Sequence, residues 1–361
     1  MGTDDTMKSP AKLLERRLAQ AMVVGSHEKR SIGTATALVV LLMLFLGVLP
    51  MDFTKTVHTS GVTTQDWFGS FGLEKHKPSM VIFGTTMFRD AKEPRYLESI
   101  RSIKNARDHG FQVAICDSSQ DKAIRDGLRN AGATVTPQRK TQGRKGQGLR
   151  EALQLALTLV SDNMHAILAY QEIEKSDLPN HWATVGDKME AEGADIAVPS
   201  RTEETFKETY PKTQFYSESF GASYLNAFAR EKIMMVGKKS VGESGTLRQT
   251  WKDLDWLFGP FAFRKEWSGF WLNHEGEMWD AQILPMVYAI RSGATTISVD
   301  IAFRASSEMK KEEEGNLKYV QKRKYQLDEL LVEIEKSFYG PVPDYTHAER
   351  AKISDAAKIL A

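Results

Sequence analysis

The stretch QRKTQGRKGQGLR (138–150) gathers Arg139, Lys140, Arg144, Lys145 and Arg150 around Gly143, Gly146 and Gly148, directly ahead of a helical pattern. Glycines let backbone N–H groups turn toward an anion, and a helix start adds a favourable dipole. Lys145 supplies a mobile positive charge, so a diphosphate suits this loop; the other reading is a solvated basic turn. The stretch is not a Walker A loop, which needs G-x-x-x-x-G-K-[ST]. It is not a dinucleotide fingerprint either, because Glu151 stands where the third glycine belongs.

Glu172-Ile173-Glu174 follows the apolar run HAILAY. Two carboxylates at i and i+2 of an extended segment point the same way and can approach one hard cation, Mn²⁺ or Mg²⁺, which would bridge two phosphate oxygens. The same E-x-E spacing is common on solvated surfaces. Asp117 closes FQVAICD, where a carboxylate can accept from a base N–H or a ribose hydroxyl, or serve as a turn or N-cap residue. Glu275-Gly276-Glu277-Met278-Trp279-Asp280 enters a helix. Acidic residues in a first turn are ordinary dipole partners; one of them, Asp280 first, is also placed to act on an acceptor hydroxyl as a base or orienting group. His274, just before, reads either as a third metal ligand or acceptor contact, or as a surface histidine. Five of the seven tryptophans (Trp251, Trp256, Trp267, Trp271, Trp279) fall within 29 residues. Indole faces stack on sugar rings, and tryptophans equally fill cores.

The elements that must position these residues alternate strand and helix. The apolar, β-prone runs 80–86, 111–119, 133–138, 165–170 and 195–201 read as strands. Between them fall a helical pattern through Leu97, Ile100 and Ile103, a helix over 121–131 stopped by Gly132, and a helix over about 148–160. Near-continuous apolar strands separated by helices mean a parallel sheet covered on both faces. In such sheets ligands sit beyond the carboxyl ends of the strands. Thr85, Thr86, Asp117 to Ser119, the 139–150 loop, Glu172 to Asp177 and Arg201 occupy those ends. Residues 211–280 read as aromatic-rich and irregular, after which a helix over about 277–292 and a strand over 294–303 resume the alternation. A helix stripe runs from Leu317 to Phe338, and Thr346…Glu349 is a capping-box match for a last short helix.

Taken in order, these features resemble the GT-A fold of nucleotide-sugar-dependent glycosyltransferases: Thr85-Thr86, Asp117, the Gly143–Gly148 loop opening a helix, an acidic pair after a strand, and an acidic helix start near 280. The R-K-G-x-G-x-R stretch is similar to the G-K-G-x-A-x-R-type loop of glucosyl-3-phosphoglycerate synthases and mannosylglycerate synthases. The resemblance spans about residues 79–305 and is clearest over 79–180. It implies an α/β, GT-A-like, mostly parallel sheet flanked by helices. It also implies transfer of a hexosyl group from a nucleoside diphosphate sugar to a hydroxyl acceptor. By the same resemblance Thr85 and Asp117 hold the nucleoside, and Arg144, Lys145 and Gly146 hold the diphosphate. Glu172 and Glu174 take the place of the family's D-x-D metal motif, His274 that of the histidine completing it, and Asp280 that of the acidic acceptor-side residue. Here E-x-E replaces D-x-D, which fits a variant metal site, metal-independent transfer, or a fold that has kept nucleotide-sugar binding and lost the chemistry. Both synthase families retain configuration, whereas Asp280 acting as a base would fit inversion. A sugar-nucleotide pyrophosphorylase fits less well, because its G-x-G-x-R loop would follow the first strand, where this chain has GTTMFRD.

Ser31 to Met51 is 21 residues without a charge, about 31 Å as a helix and close to the hydrocarbon thickness of a bilayer. Lys8, Lys12, Arg16, Arg17, Lys29 and Arg30 precede it, and only Lys55 is basic in the ten residues after it. This asymmetry predicts a cytoplasmic tail (1–30), a transmembrane signal anchor (31–51) and a Ser/Thr-rich stem (52–78). A catalytic domain (79–310) and C-terminal helices (311–361) follow on the far side. That is the plan of a type II membrane protein, lumenal in Golgi or ER if the source is eukaryotic. Lysine plus arginine minus aspartate plus glutamate is 48 − 47 = +1, which excludes the whole-chain basic character that drives nucleic-acid binding. A single cysteine, Cys116, excludes an internal disulfide and a cysteine-based zinc site. The mean hydropathy of −0.38 excludes a polytopic membrane protein.

Overall fold

A computed structural model describes residues 79–139, 144–160, 163, 165–240 and 253–342, without the side chains of 232–240, 312 and 338. The tail, the apolar segment 31–51 and the stem lie outside the described residues, as do Lys140, Gly143, Trp251 and the helix expected after Thr346. Among the described residues no helix is long and apolar enough to cross a membrane.

The chain runs β1 (Met80–Thr86), α1 (Pro94–Asp108), β2 (Gln112–Asp117), α2 (Lys122–Ala131), β3 (Thr134–Pro137), α3 (Lys145–Leu159), β4 (Ile167–Tyr170), α4 (Pro179–Glu192) and β5 (Ile196–Arg201). Then come α5 (Glu203–Thr209), α6 (Lys212–Ser240), β6 (Phe261–Arg264), α7 (Ser268–Asn273), α8 (Asp280–Arg291), β7 (Thr296–Ile301), α9 (Ser307–Glu313) and α10 (Leu317–Tyr339). The strands form one seven-stranded sheet in the order β3-β2-β1-β4-β6-β5-β7. All neighbours are parallel except β6, which runs antiparallel to both β4 and β5. A mostly parallel sheet flanked by helices is the architecture that the GT-A resemblance implies.

Both faces of the sheet are covered, and the period-2 alternation of each strand feeds two cores. Val81, Phe83, Ala114, Cys116, Leu168, Tyr170 and Phe263 face the layer of α3, α7, α8 and α10. Met80, Ile82, Val113, Ile115, Ile167 and Ala169 face the layer of α1, α2 and α4. Phe263 stacks on Trp271 at 4.1 Å between ring centroids. Helix ends follow local chemistry. Asp121 caps α2 by accepting from the Ala123 N–H at 2.8 Å, and Gly132 closes it with φ +118°.

Two elements depart from the sequence reading. Residues 212–240 are one 29-residue helix rather than irregular chain. Its apolar and aromatic residues are scattered around the axis, so no single stripe announces it. Phe261–Arg264 is a strand of only four residues, reversed relative to its neighbours. A run this short within an aromatic segment carries no periodic signal.

Strand order fixes where a ligand can sit. The chain steps from β1 outward to β2 and β3, then returns to place β4 on the other side of β1. The β1/β4 boundary is therefore the topological switch point, where a crevice opens beyond the strand ends. Thr85 and Thr86 end β1 there, and Glu172 follows β4.

Candidate functional site

A cavity of about 470 Å³ opens at this switch point. Thr85, Arg144, Lys145, Glu172, Glu174 and Lys175 are on its wall. Its volume falls in the range of about 300–1,000 Å³ usual for small-ligand sites.

The chain beyond β4 is held in place by buried polar bonds. Gln171 is buried; its Nε2 donates to Ser102 Oγ at 2.8 Å, and its Oε1 accepts from Trp182 Nε1 at 2.7 Å. Its backbone N–H donates to Phe83 O at 3.0 Å. Gly84 makes this approach possible, because a Cβ there would overlap the Gln171 carbonyl oxygen. Ile173 is buried in the core on the α1 side, so its neighbours Glu172 and Glu174 are turned the other way, to the cavity.

Glu172 carries a lysine on each oxygen. Lys145 Nζ lies 3.4 Å from Oε1, and Lys175 Nζ lies 3.1 Å from Oε2. Burial works to raise the Glu172 pKa, but Lys175 and Lys145 outweigh it and hold the carboxyl well below the usual range. Burial likewise works against the charge on Lys175, and Tyr210 and Glu172 overcome it, leaving its pKa above the ordinary value. Glu174 accepts from Arg95 Nε and Nη2 at 3.1 and 2.6 Å. Tyr170, on the cavity floor, is fully buried with its hydroxyl against Gln282 and Thr85; burial raises its pKa well above 10, so it stays a neutral phenol.

Lys145 is the first residue of α3, about three residues earlier than the pattern suggested for that helix. The helix start it belongs to is already occupied by an acidic residue of the chain itself. The Gln147 N–H donates to Glu277 Oε2 at 3.3 Å, and the Gly146 N–H donates to Glu277 O at 3.1 Å. Arg150 completes the clamp, donating to His274 O, Gly276 O and Glu277 Oε1 at 2.8, 2.8 and 2.6 Å. The dipole that the sequence reading assigned to a diphosphate thus serves first to hold the 274–280 loop. Gly146 permits this contact: a Cβ there would overlap Gly276 O and lie 2.8 Å from Glu277 Cα, both backbone. Gly146→Ala should therefore destabilise the fold by about 1–3 kcal/mol, read as a lower midpoint in thermal unfolding. An unchanged midpoint would show that the loop is not pressed against α3.

Asp117 is not on the cavity wall. It is 1% exposed, and its oxygens are consumed below the floor. Thr86 Oγ1 and Ser119 Oγ donate to Oδ1, each at 2.7 Å, while the Ser119 N–H reaches Oδ2 at 3.2 Å and Arg125 Nη1 at 3.4 Å. Its place is that of a brace between the ends of β1 and β2, where Ser118 Oγ also donates to Thr86 O at 3.2 Å.

His274 and Asp280 pair with each other, away from the acidic pair. Nε2 lies 3.5 Å from Oδ2, too loose for a well-formed hydrogen bond, and Nε2 is a buried nitrogen without one. Burial works to raise the Asp280 pKa; His274 and the Met278 N–H, which donates to Oδ1 at 2.8 Å, outweigh it and lower it. Neither residue is on the cavity wall, whereas Met278, Trp279 and Gln282 are. Among the described residues no three His, Cys, Asp or Glu side chains converge on one point, so His274 does not join Glu172 and Glu174. Trp256 and Trp279 face the cavity, while Trp271 is core and Trp267 packs against it.

The sequence reading passed over Arg95, took in Lys175 only as part of the run 172–177, and took Glu277 only as an acidic residue entering a helix. Lys175 had a signal: it stands three residues after Glu172, and a turn closed by its N–H on Glu172 O at 2.9 Å brings the two side chains together. Arg95 comes from a helix start 79 residues away, and Glu277 meets α3 across 130 residues, with no local pattern to link either.

No family model matches the chain, and no curated protein matches it. Among solved structures it is similar to glucosyl-3-phosphoglycerate synthase of Mycobacterium tuberculosis, at 14% identity over 66% of this chain and 76% of that one, with a TM-score of 0.40. A structure of that synthase with phosphoglyceric acid matches at 13% identity over 74% and 82% of the two chains, TM-score 0.41. One with Mn²⁺, UDP-glucose and glycerol 3-phosphate matches at 13% over 77% and 85%, also with a TM-score of 0.41.

Proposed function

We propose that the chain is a glycosyltransferase that takes a sugar from a nucleoside diphosphate sugar and passes it to a hydroxyl acceptor. One observation carries this reading: Lys145, opening α3, and Glu172, following β4, meet at 3.4 Å on the cavity at the β1/β4 switch point. The two features that sequence reading expected to grip a pyrophosphate share one rim of the sheet.

In this reading Thr85 lies along the nucleoside, and Lys145 with Arg144 neutralises the diphosphate. Fixed cationic donors matter most as the glycosyl bond breaks, when charge grows on the departing diphosphate. The donor chemistry of Glu172 and Glu174, two hard carboxylates on one wall, fits a divalent ion. Such an ion, when bound, supplies Lewis-acid stabilisation of phosphate oxygens. Met278, Trp279 and Gln282 form the wall on the side of α8 and give the sugar and acceptor an apolar face with one amide. Residues 31–51 support a bilayer tether, to be checked by whether the full chain resists alkaline extraction from membranes.

A binding protein without turnover is the second reading. It is favoured by Asp280, which pairs with His274 and is not on the cavity wall. Titration of the full chain with UDP, GDP and ADP, followed by assay of their sugar derivatives for release of the free nucleotide, separates the readings. Transferase activity predicts binding of one base together with release of its diphosphate. Binding without release supports the second reading, and failure of all three to bind removes both.

A further inference from the structure

Lys175 is not a surface lysine. Its side chain is 16% exposed, and its ammonium lies 4.8 Å from the Phe258 ring centroid and 5.9 Å from that of Phe303. Aromatic faces hold a cation in place without neutralising it. Among the described residues its one carboxylate partner is Glu172, which Lys145 engages on the other oxygen. Two ammonium groups therefore share one negative charge at the cavity wall. Lys322 of α10 faces the same cavity and adds to the positive field felt by Glu172. Other basic groups on the wall are matched differently. Arg201 is consumed by Asp255 and Glu218. Lys310 is held by Glu313 and Gln214. The place where two ammonium groups crowd one carboxylate is Glu172.

We propose that Lys175 is a resident counter-cation of the diphosphate seat, doing with Lys145 part of the charge neutralisation that a divalent ion would do. The inference rests on reading the cavity as a sugar-nucleotide site. A partly buried ammonium with half a carboxylate gains from a dianion beside it, because the interaction is strong where water is scarce. A divalent ion at Glu172 meets the same ammonium as a like charge. Nucleotide binding thus keeps a metal-free component, and Lys175 sets its size.

The test is a titration of the full chain with UDP, with GDP and ADP in parallel, in EDTA and in Mn²⁺. Wild type is compared with Lys175→Gln and with Lys175→Arg, which keeps the charge. Thermal unfolding of each variant checks that the fold is intact. Wild type should bind in EDTA within about tenfold of its affinity in Mn²⁺. Lys175→Gln should lose tenfold or more in EDTA, the scale of one charged hydrogen bond, and about threefold or less in Mn²⁺. Lys175→Arg should restore the metal-free binding. Loss of all wild-type binding in EDTA, or equal weakening of Lys175→Gln with and without metal, overturns the role of Lys175 while leaving the sugar-nucleotide site in place. Absence of wild-type binding under both conditions overturns the site itself, and this inference with it.

Discussion

Lys145→Ala should weaken nucleoside diphosphate binding by about 10- to 100-fold, the 1.5–3 kcal/mol of a charge-assisted hydrogen bond. Turnover of the sugar nucleotide should fall further, by about 10²–10³ in kcat, since removing one preorganised donor costs about 2.7–4 kcal/mol in the transition state. The difference between the two losses is informative. Lys145 lies at the mouth with a quarter of its side chain exposed and Glu172 as its partner. It can bind a ground-state diphosphate, and it gains more as that group leaves with its charge. Stability should barely change, because a partly exposed ion pair contributes no more than about 1 kcal/mol. A calorimetric titration, a steady-state assay and a thermal scan on the same preparation check the three statements together. If Lys145→Ala lowers the thermal midpoint as much as it lowers affinity, the residue is a structural strut and not a ligand of the diphosphate.

Arg201→Ala should do the reverse, with its main effect on folding. The Arg201 side chain is 1% exposed. Its Nε and Nη2 donate to Asp255 at 2.8 and 2.9 Å, and its Nη1 donates to Glu218 at 2.8 Å. Its guanidinium lies 3.6 Å from the Phe206 ring centroid. Removing it leaves two largely buried carboxylates with neutral partners in place of the guanidinium: the backbone N–H of residue 201 to Asp255 Oδ2 at 3.3 Å, and Gln214 Nε2 to Glu218 at 2.7 Å. Breaking a buried pair from one side costs about 3–5 kcal/mol. For a domain of this size that is a fall in thermal midpoint on the order of 10 °C. Because Asp255 begins the turn that leads to Gly259, where an added Cβ would lie 3.6 Å from Glu172 Oε2, the cavity wall should loosen as well. The combined change Arg201→Met, Asp255→Asn and Glu218→Gln removes all three charges and should recover a large part of the loss. A midpoint no better than that of Arg201→Ala would show that packing, not stranded charge, explains the loss.

The sheet was legible because its strands are buried on both faces. MVIFGTT is β1 to the residue, and IAVPSR lies within one residue of its expected start. The meeting of Lys145 with Glu172 was legible for a related reason. In a parallel sheet every strand end of interest lies along one edge, so a basic helix start and an acidic strand end are led to the same rim. What a strand end does not reveal is which way its side chain turns. Asp117 stands opposite Thr86, one residue on from Thr85, on the neighbouring strand. Thr85 lines the cavity, while Asp117 turns under the floor to Thr86, Ser119 and Arg125. The same limit hid the pairing of His274 with Asp280. Two residues six apart around Gly276 fold back on each other in a loop whose course is set by Arg150 on a distant helix. Where a glycine is present because backbone must approach, as at Gly84 and Gly146, the sequence shows the glycine but not the partner.

The most direct test is a crystal structure of the full chain with UDP, or with whichever diphosphate the titrations select. The account places the pyrophosphate at the β1/β4 crevice, with a phosphate oxygen about 3 Å from Lys145 Nζ, Glu172 and Lys175 beside it, and the nucleoside along Thr85. A nucleotide bound elsewhere on the molecule, with Lys145 still closed on Glu172 and the crevice containing only water, would contradict it.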